Sequence, residues 1–290
     1  MMKIGNIYQQ AKSEKRPVIS LEIFPPKRPT GIETIFQTID KLTAKPDFIS
    51  VTYGAAGNTL RENKTLEIAS RIKQDYGIEA LHHLTAIMNS REEICRIIAE
   101  IKAAGIENIL ALRGDIPKGA CDFPEDFQYA KDLIAEIARS NQFSIGAACY
   151  PEGHIDQKAN RENIKHLLEK EQQGANFFIS QLFFDNQAFY DLLDESRKAR
   201  INVPIAAGIM PIMSVSQVEK MIFFGASLPV DLIKLIHRYQ DTPEDLQKAG
   251  LEYSINQIDE LIENGASGIH VYTMNRPIIA NTIMDRYKAK

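Results

Sequence analysis

Residues 18–24 read VISLEIF, and this stretch decides the fold. Ile19, Leu21 and Ile23 alternate with Val18, Ser20, Glu22 and Phe24. Successive side chains of a strand point to opposite faces, so one face here is wholly aliphatic and the other carries a carboxylate near its C-terminal end. Outward from this stretch the pattern recurs. Short apolar runs follow at 47–53 (DFISVTY), 79–85 (EALHHLT), 107–114 (ENILALRG), 143–150 (FSIGAACY), 176–183 (NFFISQLF), 203–210 (VPIAAGIM) and 267–273 (SGIHVYT). Most lie about 30 residues apart, the length of a βα unit.

The stretches between the runs carry helical spacing. Ile94, Ile97, Ile98 and Ile101 fall at i, i+3, i+4, i+7 and build one apolar face. Ser90 and Glu93 form a capping box at the start of that helix, and Gly105 stands where its C-terminal cap belongs. Pro124 suits the first turn of the next helix. Gly174 closes a helix containing Ile164, Leu167 and Leu168. The interval 211–266 is longer and holds extra helical segments, one from about Pro243 to Glu263. Alternating strands and helices in this number predict an α/β fold, a (β/α)8 TIM barrel with extra helices before the last strand, spanning 1–290 as a single domain. A doubly wound open sheet is the competing topology. The even repetition and the lack of a dinucleotide fingerprint favour the barrel.

Composition narrows the function. The 290 residues are 44% hydrophobic and 25% charged, which excludes a disordered or fibrous chain. Lys plus Arg is 34 against 38 Asp plus Glu, so no basic excess exists to neutralise nucleic acid. No apolar run reaches the ~18 residues of a membrane span, and the N-terminus is too polar for a signal peptide. Cys95, Cys121 and Cys149 are far apart and form neither a disulfide framework nor a CxxC motif. A cytoplasmic protein is expected.

Barrel enzymes keep their chemistry at the C-terminal ends of the strands. The aliphatic set of 18–24 should face the helices, which points Glu22 into the barrel near its top. A carboxylate there needs a partner or a proton, and the interior is expected to raise its pKa. Polar residues crowd the other strand ends: Thr52-Tyr53, His82-His83, Arg113-Gly114-Asp115, Tyr150 to His154, Gln181 to Asp185, and Tyr272 to Arg276. One such group could be a satisfied surface residue, but together they point to a large ligand site. No strand end carries a lysine, which argues against a Schiff-base aldolase. No HxH or HExxH pair exists, and adjacent His82 and His83 point to opposite faces, so no metal site is expected. No GxGxxG or GxxxxGK[ST] is present, so any nucleotide must be held by strand-end side chains and helix N-termini. His237 and His270 read as solvated or core residues.

Several segments together resemble the catalytic domain of the methylenetetrahydrofolate reductase family. They are LEIFPPKRP (21–29), SVTYGAAG (50–57), LTAIMNSREE (84–93), ALRGDIP (111–117), YPEGH (150–154), GANFFISQLFFD (174–185), GIMPI (208–212) and YTMNRP (272–277). The resemblance spans about 16–288. It implies reduction of 5,10-methylenetetrahydrofolate to 5-methyltetrahydrofolate, with hydride passing from NADH or NADPH to FAD and then to the folate, and it implies a homo-oligomer. Some members carry a regulatory domain after the barrel, and this chain leaves no room for one before Lys290. By motif, Glu22 is the acid that opens the folate ring to an iminium. Asp115 lies near flavin and pterin and stabilises positive charge. Thr52 meets nicotinamide. Tyr53, Ala55, His83, Arg113, Gly114, Ala130, Tyr150, His154 and Lys170 hold FAD. Gln181 meets folate and nicotinamide, and Gln217 and Arg276 meet folate, Arg276 by pairing with its glutamate tail.

The sequence departs from the family in the helix after strand 5. Asn163, Glu169 and Lys170 stand where the family often has an aspartate and a basic pair, and of the pair only Lys170 keeps its charge. Competing readings are another FAD barrel, such as a proline-dehydrogenase-like oxidase, and a non-flavin pterin-binding barrel.

Overall fold

A computed structural model describes residues 2–26, 31–53, 59–116, 124, 126–153, 160–223 and 225–288. Eight strands form one closed parallel barrel in chain order. They are β1 (Val18–Ile23), β2 (Phe48–Val51), β3 (Glu79–Thr85), β4 (Asn108–Leu112), β5 (Ser144–Cys149), β6 (Phe177–Ser180), β7 (Ile205–Ile209) and β8 (Gly268–Tyr272). Each pairs with the next, and β8 pairs with β1. Every strand falls inside its expected run.

The helices are α1 (Ile4–Ser13), α2 (Ile32–Asp40), α3 (Thr59–Tyr76), α4 (Arg91–Ala103), α5 (Ala130–Ala138), α6 (Asn160–Gln172), α7 (Asn186–Lys198), α8 (Val215–Phe223), α9 (Val230–Tyr239), α10 (Pro243–Glu263) and α11 (Pro277–Tyr287). Helix α4 has the capping box at Ser90 and Glu93, and Gly105 follows it at φ +77. The extra helices α8, α9 and α10 fill the long interval before β8. The expectation for Pro124 is corrected: it lies outside α5, which starts at Ala130. That start is fixed by the Asp132 carboxylate, which accepts from the Tyr129 backbone N–H at 2.9 Å, a first-turn acid doing what a proline was expected to do.

The layers follow the alternation of β1. Ile19, Leu21 and Ile23 join the cluster between strands and helices. Val18 joins the barrel interior with Phe48, Leu81, Leu110 and Phe177. Ile4, Ile7, Tyr8 and Ala11 of α1 belong to that same interior cluster, so α1 closes the N-terminal end. Their spacing of i, i+3, i+4, i+7 is a helical signal that a reading of this segment as merely polar passes over. Two backbone donors of the first turn are satisfied from the strands: Ile4 N donates to Asn108 Oδ1 at 2.8 Å, and Gly5 N to Ser144 Oγ at 3.0 Å. Thus the N-terminal end of the interior is apolar apart from Asn108 and Ser144, which α1 satisfies, and Glu22, His83 and His270 gather toward the other end.

Candidate active site at the C-terminal rim

Glu22 faces the barrel interior and is buried. Register sets its neighbours, because Glu22 lies beside Ser50 on β2 and Tyr272 on β8, and Ser20 lies beside His270. The Ser50 hydroxyl donates to Glu22 Oε2 at 3.2 Å. His270 Nε2 lies 3.2 Å from the same oxygen, and His270 Nδ1 lies 2.8 Å from Ser20 Oγ. His83 Nε2 lies 3.5 Å from Glu22 Oε2 and has no hydrogen-bond partner among the described residues. The Thr273 hydroxyl donates to the Glu22 carbonyl at 2.7 Å, fixing the backbone beneath the carboxylate.

This arrangement corrects the expected pKa of Glu22. Burial does push it up, but the His270 hydrogen bond, the neighbouring imidazoles and the Ser50 hydroxyl outweigh that, and the carboxyl is held below its usual range. Burial pushes His83 the other way, down to about 4, and His82 on the outer face down to about 3. With its hydrogen on Nε2, His270 donates to Glu22 and accepts at Nδ1 from Ser20, whose hydroxyl also lies 3.3 Å from the Ile269 carbonyl.

Most of the other predicted residues that the structure describes follow the C-terminal ends of strands. Thr52 and Tyr53 follow β2, and Tyr53 is buried. Arg113, Gly114 and Asp115 follow β4, and the Asp115 side chain is exposed. Gly114 adopts φ +85, and a Cβ there would come within 2.8 Å of Ile87 and 3.0 Å of Thr85. Ala130 opens α5. Lys170 Nζ donates to the Ala148 carbonyl at 2.8 Å and lies 5.9 Å from the centre of the Tyr150 ring. Burial draws its pKa down to about 8. Asn163 donates from Nδ2 to the Tyr150 carbonyl at 2.7 Å, a bond that an aspartate could not make. Glu169 accepts from Lys131 Nζ at 2.9 Å, so a basic residue of α5 stands beside the position where the family's cation is missing.

The amide of Gln217 is committed to the backbone. Its Oε1 accepts from Met213 N at 2.8 Å and its Nε2 donates to the Pro211 carbonyl at 3.0 Å. Gln181 Oε1 accepts from Leu182 N at 2.9 Å. Arg276 is exposed at the start of α11. Asp115, Gln217 and Arg276 make no direct contact with Glu22 among the described residues. Ala55 and His154 lie outside the described residues.

Sequence reasoning missed His270, Ser20 and Ser50. The signal was there for His270, two residues before Tyr272 on an alternating strand and therefore on one face with it. Other motif residues serve the backbone. Asp185 accepts from Gln187 N at 3.0 Å and caps α7. Asn275 exchanges two hydrogen bonds with the backbone of Phe24, at 2.9 and 2.8 Å. Glu152 accepts from Ser227 N at 3.1 Å, tying the loop after β5 to the segment before α9.

Among the described residues, no cluster of His, Cys, Asp or Glu is placed to hold a metal ion, and no helix is long and apolar enough to cross a membrane.

The profile of the family named methylenetetrahydrofolate reductase matches residues 7–288. Methylenetetrahydrofolate reductase 1 of Schizosaccharomyces pombe is 33% identical over 293 residues, covering 98% of this chain and 48% of the relative. The 5,10-methylenetetrahydrofolate reductase of Escherichia coli (strain K12) is 34% identical over 260 residues, covering 89% of this chain and 86% of the relative. The chain therefore spans about half the length of the fungal relative and most of the bacterial one. Among solved structures, a Clostridium thermocellum protein that binds two copies of 5-methyl-5,6,7,8-tetrahydrofolic acid has a TM-score of 0.66 at 16% identity, covering 97% of this chain and 99% of that one. At that identity the likeness concerns the fold.

Proposed function

The chain belongs to the methylenetetrahydrofolate reductase family, and we propose accordingly that it reduces 5,10-methylenetetrahydrofolate to 5-methyltetrahydrofolate. The electron donor is NADH or NADPH, the carrier is FAD, and the two half-reactions alternate at one site. The observation that carries this reading is the carboxylate of Glu22, buried at the polar end of the barrel beneath a rim of polar residues.

The residues present fit a flavin dinucleotide. Lys170 is a half-buried cation whose one hydrogen-bond partner among the described residues is a carbonyl. His83 Nε2 is buried without a hydrogen-bond partner among those residues. Gly114, at φ +85, lies so close to Ile87 and Thr85 that a Cβ would clash, which fixes the turn after β4 at the rim. Lys170 would meet the diphosphate, and Tyr53, His83, Arg113, Gly114, Ala130 and Tyr150 would hold the rest, with Ala55 and His154 completing the set. When bound, FAD supplies a two-electron hydride store between nicotinamide and folate.

The protein's own part is binding and proton control. Thr52 and Gln181 receive the nicotinamide, and Gln181 also the folate. Gln217 holds the loop 211–213 in shape at the folate side. Arg276, exposed and free of ion pairs among the described residues, pairs with a substrate carboxylate. Asp115 stabilises positive charge on the folate. Glu22 donates a proton to the folate's five-membered ring, which opens to an iminium whose carbon then receives the hydride. Because Glu22 starts as an anion, that proton must first reach it, and the Ser50 hydroxyl and the His270 ring are the groups in contact with its carboxylate.

The test is optical. The purified protein should be yellow, bleach on anaerobic addition of NADH or NADPH, and regain its colour with methylenetetrahydrofolate. A colourless protein, or reduced flavin that ignores the folate, sinks the reading.

A further inference from the structure

Past Ile23 the backbone of β1 has no strand left to pair with. Glu22 and Tyr272 are the last register pair between β1 and β8, and Pro25 and Pro26 follow with no N–H to offer. The backbone groups at this end are met all the same. The Glu22 carbonyl accepts from the Thr273 hydroxyl at 2.7 Å. The Ile23 carbonyl accepts from Thr52 N at 3.1 Å, on the β2 side. Phe24 is met twice by one side chain: its N–H donates to Asn275 Oδ1 at 2.9 Å, and its carbonyl accepts from Asn275 Nδ2 at 2.8 Å. One amide thus continues the pairing of β1 with the β8 side after both strands have ended.

Two demands meet at residue 275. Its backbone lies at φ +55 and that of Met274 at φ +52, a left-handed turn in which asparagine is one of the few enriched side chains. Its side chain must also donate and accept at once, and an amide has a group for each where an ionised carboxylate only accepts. Thr273 holds the turn from inside. Its hydroxyl accepts from Asn275 N at 3.2 Å, and its carbonyl accepts from Arg276 N at 2.9 Å. One short turn therefore connects the end of β1, which carries Glu22, to Arg276.

We propose that Asn275 is a positioning residue for the folate half-reaction. By holding Phe24 it fixes the end of β1, and so aims the Glu22 carboxylate relative to Arg276. This rests on the reading of Glu22 as the acid and of Arg276 as the partner of the substrate carboxylate. A packing role alone would account for the two hydrogen bonds, but its loss would harm both half-reactions alike. Positioning confines the harm to the one that needs the acid.

Asn275→Gly separates the turn from the clamp, because glycine takes a positive φ without strain and has no amide. Hydrogen exchange, which needs no flavin, should show the Phe24 amide losing protection while Ile269 and Val271 keep theirs. In stopped flow, flavin content and reduction by NADH or NADPH should stay near wild type. Reoxidation of the reduced flavin at saturating methylenetetrahydrofolate should slow ~10–100-fold. A double-mutant cycle gives the readout that packing would not move. In a Glu22→Gln background the same substitution should cost less than about twofold, since residues that act through one group are not additive. Losses that multiply in the double variant overturn the proposal. So do normal folate reoxidation, equal loss in both half-reactions, or a Phe24 amide as protected as before. Wild-type protein run alongside tells the two failures apart: if its own reduced flavin ignores the folate, the proposed function fails and this inference falls with it.

Discussion

Glu22 has a carboxylate's two conflicting tendencies inside one barrel. Burial favours its neutral form, and the donors around it favour the anion and prevail. Glu22→Gln keeps the shape and the hydrogen bonds but has no proton to give. It should fold, hold flavin and accept hydride from nicotinamide at nearly the normal rate. Its reduced flavin should react with methylenetetrahydrofolate ~10²–10⁴-fold more slowly. Stopped-flow measurement of each half-reaction decides it, and folate reoxidation within a few-fold of wild type would remove Glu22 from the role. Lys170 gives a second residue-scale prediction. Its pKa of about 8 belongs to the unliganded site, and a bound diphosphate would raise it. Flavin binding above that pH must therefore take up a proton, and flavin affinity should fall as pH rises past about 8. Lys170→Met should bind more weakly and lose this dependence, and a flat affinity in wild type from neutral to alkaline pH would falsify the phosphate contact. Glu22 was legible in the sequence because alternation placed it inside, and His83 because its segment resembles the family's motif. Ser20 and Ser50 were not, because a small hydroxyl in a strand has no pattern of its own and gains meaning only from register across the sheet.

Elements were far more legible than contacts. All eight strands could be read because each is a short apolar run bounded by a polar break, and the barrel follows from their number and spacing. Helix starts were legible where a side chain caps the backbone, as at Ser90, and misread at Pro124, because the residue that fixes the start of α5 is the acid Asp132 farther along the chain. Close approach between elements is invisible in sequence. Gly250 shows why: a Cβ there would sit 2.0 Å from the Ile212 carbonyl oxygen, so α10 packs directly on the loop that Gln217 braces. Gly250→Ala should force the two apart and cost about 1–3 kcal/mol by overpacking. Chemical denaturation should show that loss, and the KM for folate should rise while flavin reduction by nicotinamide stays near normal. An unchanged midpoint and KM would mean that the loop yields freely.

At the scale of the whole molecule, the buried histidines tie stability to pH. His82 and His83 have folded-state pKa values of about 3 and about 4, well below the ordinary value near ~6.5. As pH falls, the unfolded chain takes up these protons first, so their stabilising effect is complete above about 6.5 and is lost progressively toward those lower values. The melting temperature should therefore drop between about pH 6.5, the ordinary imidazole pKa, and about 4. His82→Leu, which removes a ring whose Nδ1 lacks a partner among the described residues, should shallow that drop. Parallel slopes would assign the acid sensitivity elsewhere. The closed barrel has a consequence in time as well. Helix α1 leaves the ribosome before any strand of the barrel, yet its first-turn donors are met by Asn108 and Ser144, 104 and 139 residues downstream. Until those residues emerge, Ile4, Ile7 and Tyr8 have no barrel floor to enter. A helix made before the strands thus docks only after about half of the barrel has been made, and until then its apolar stripe remains open to chaperones and to neighbouring nascent chains.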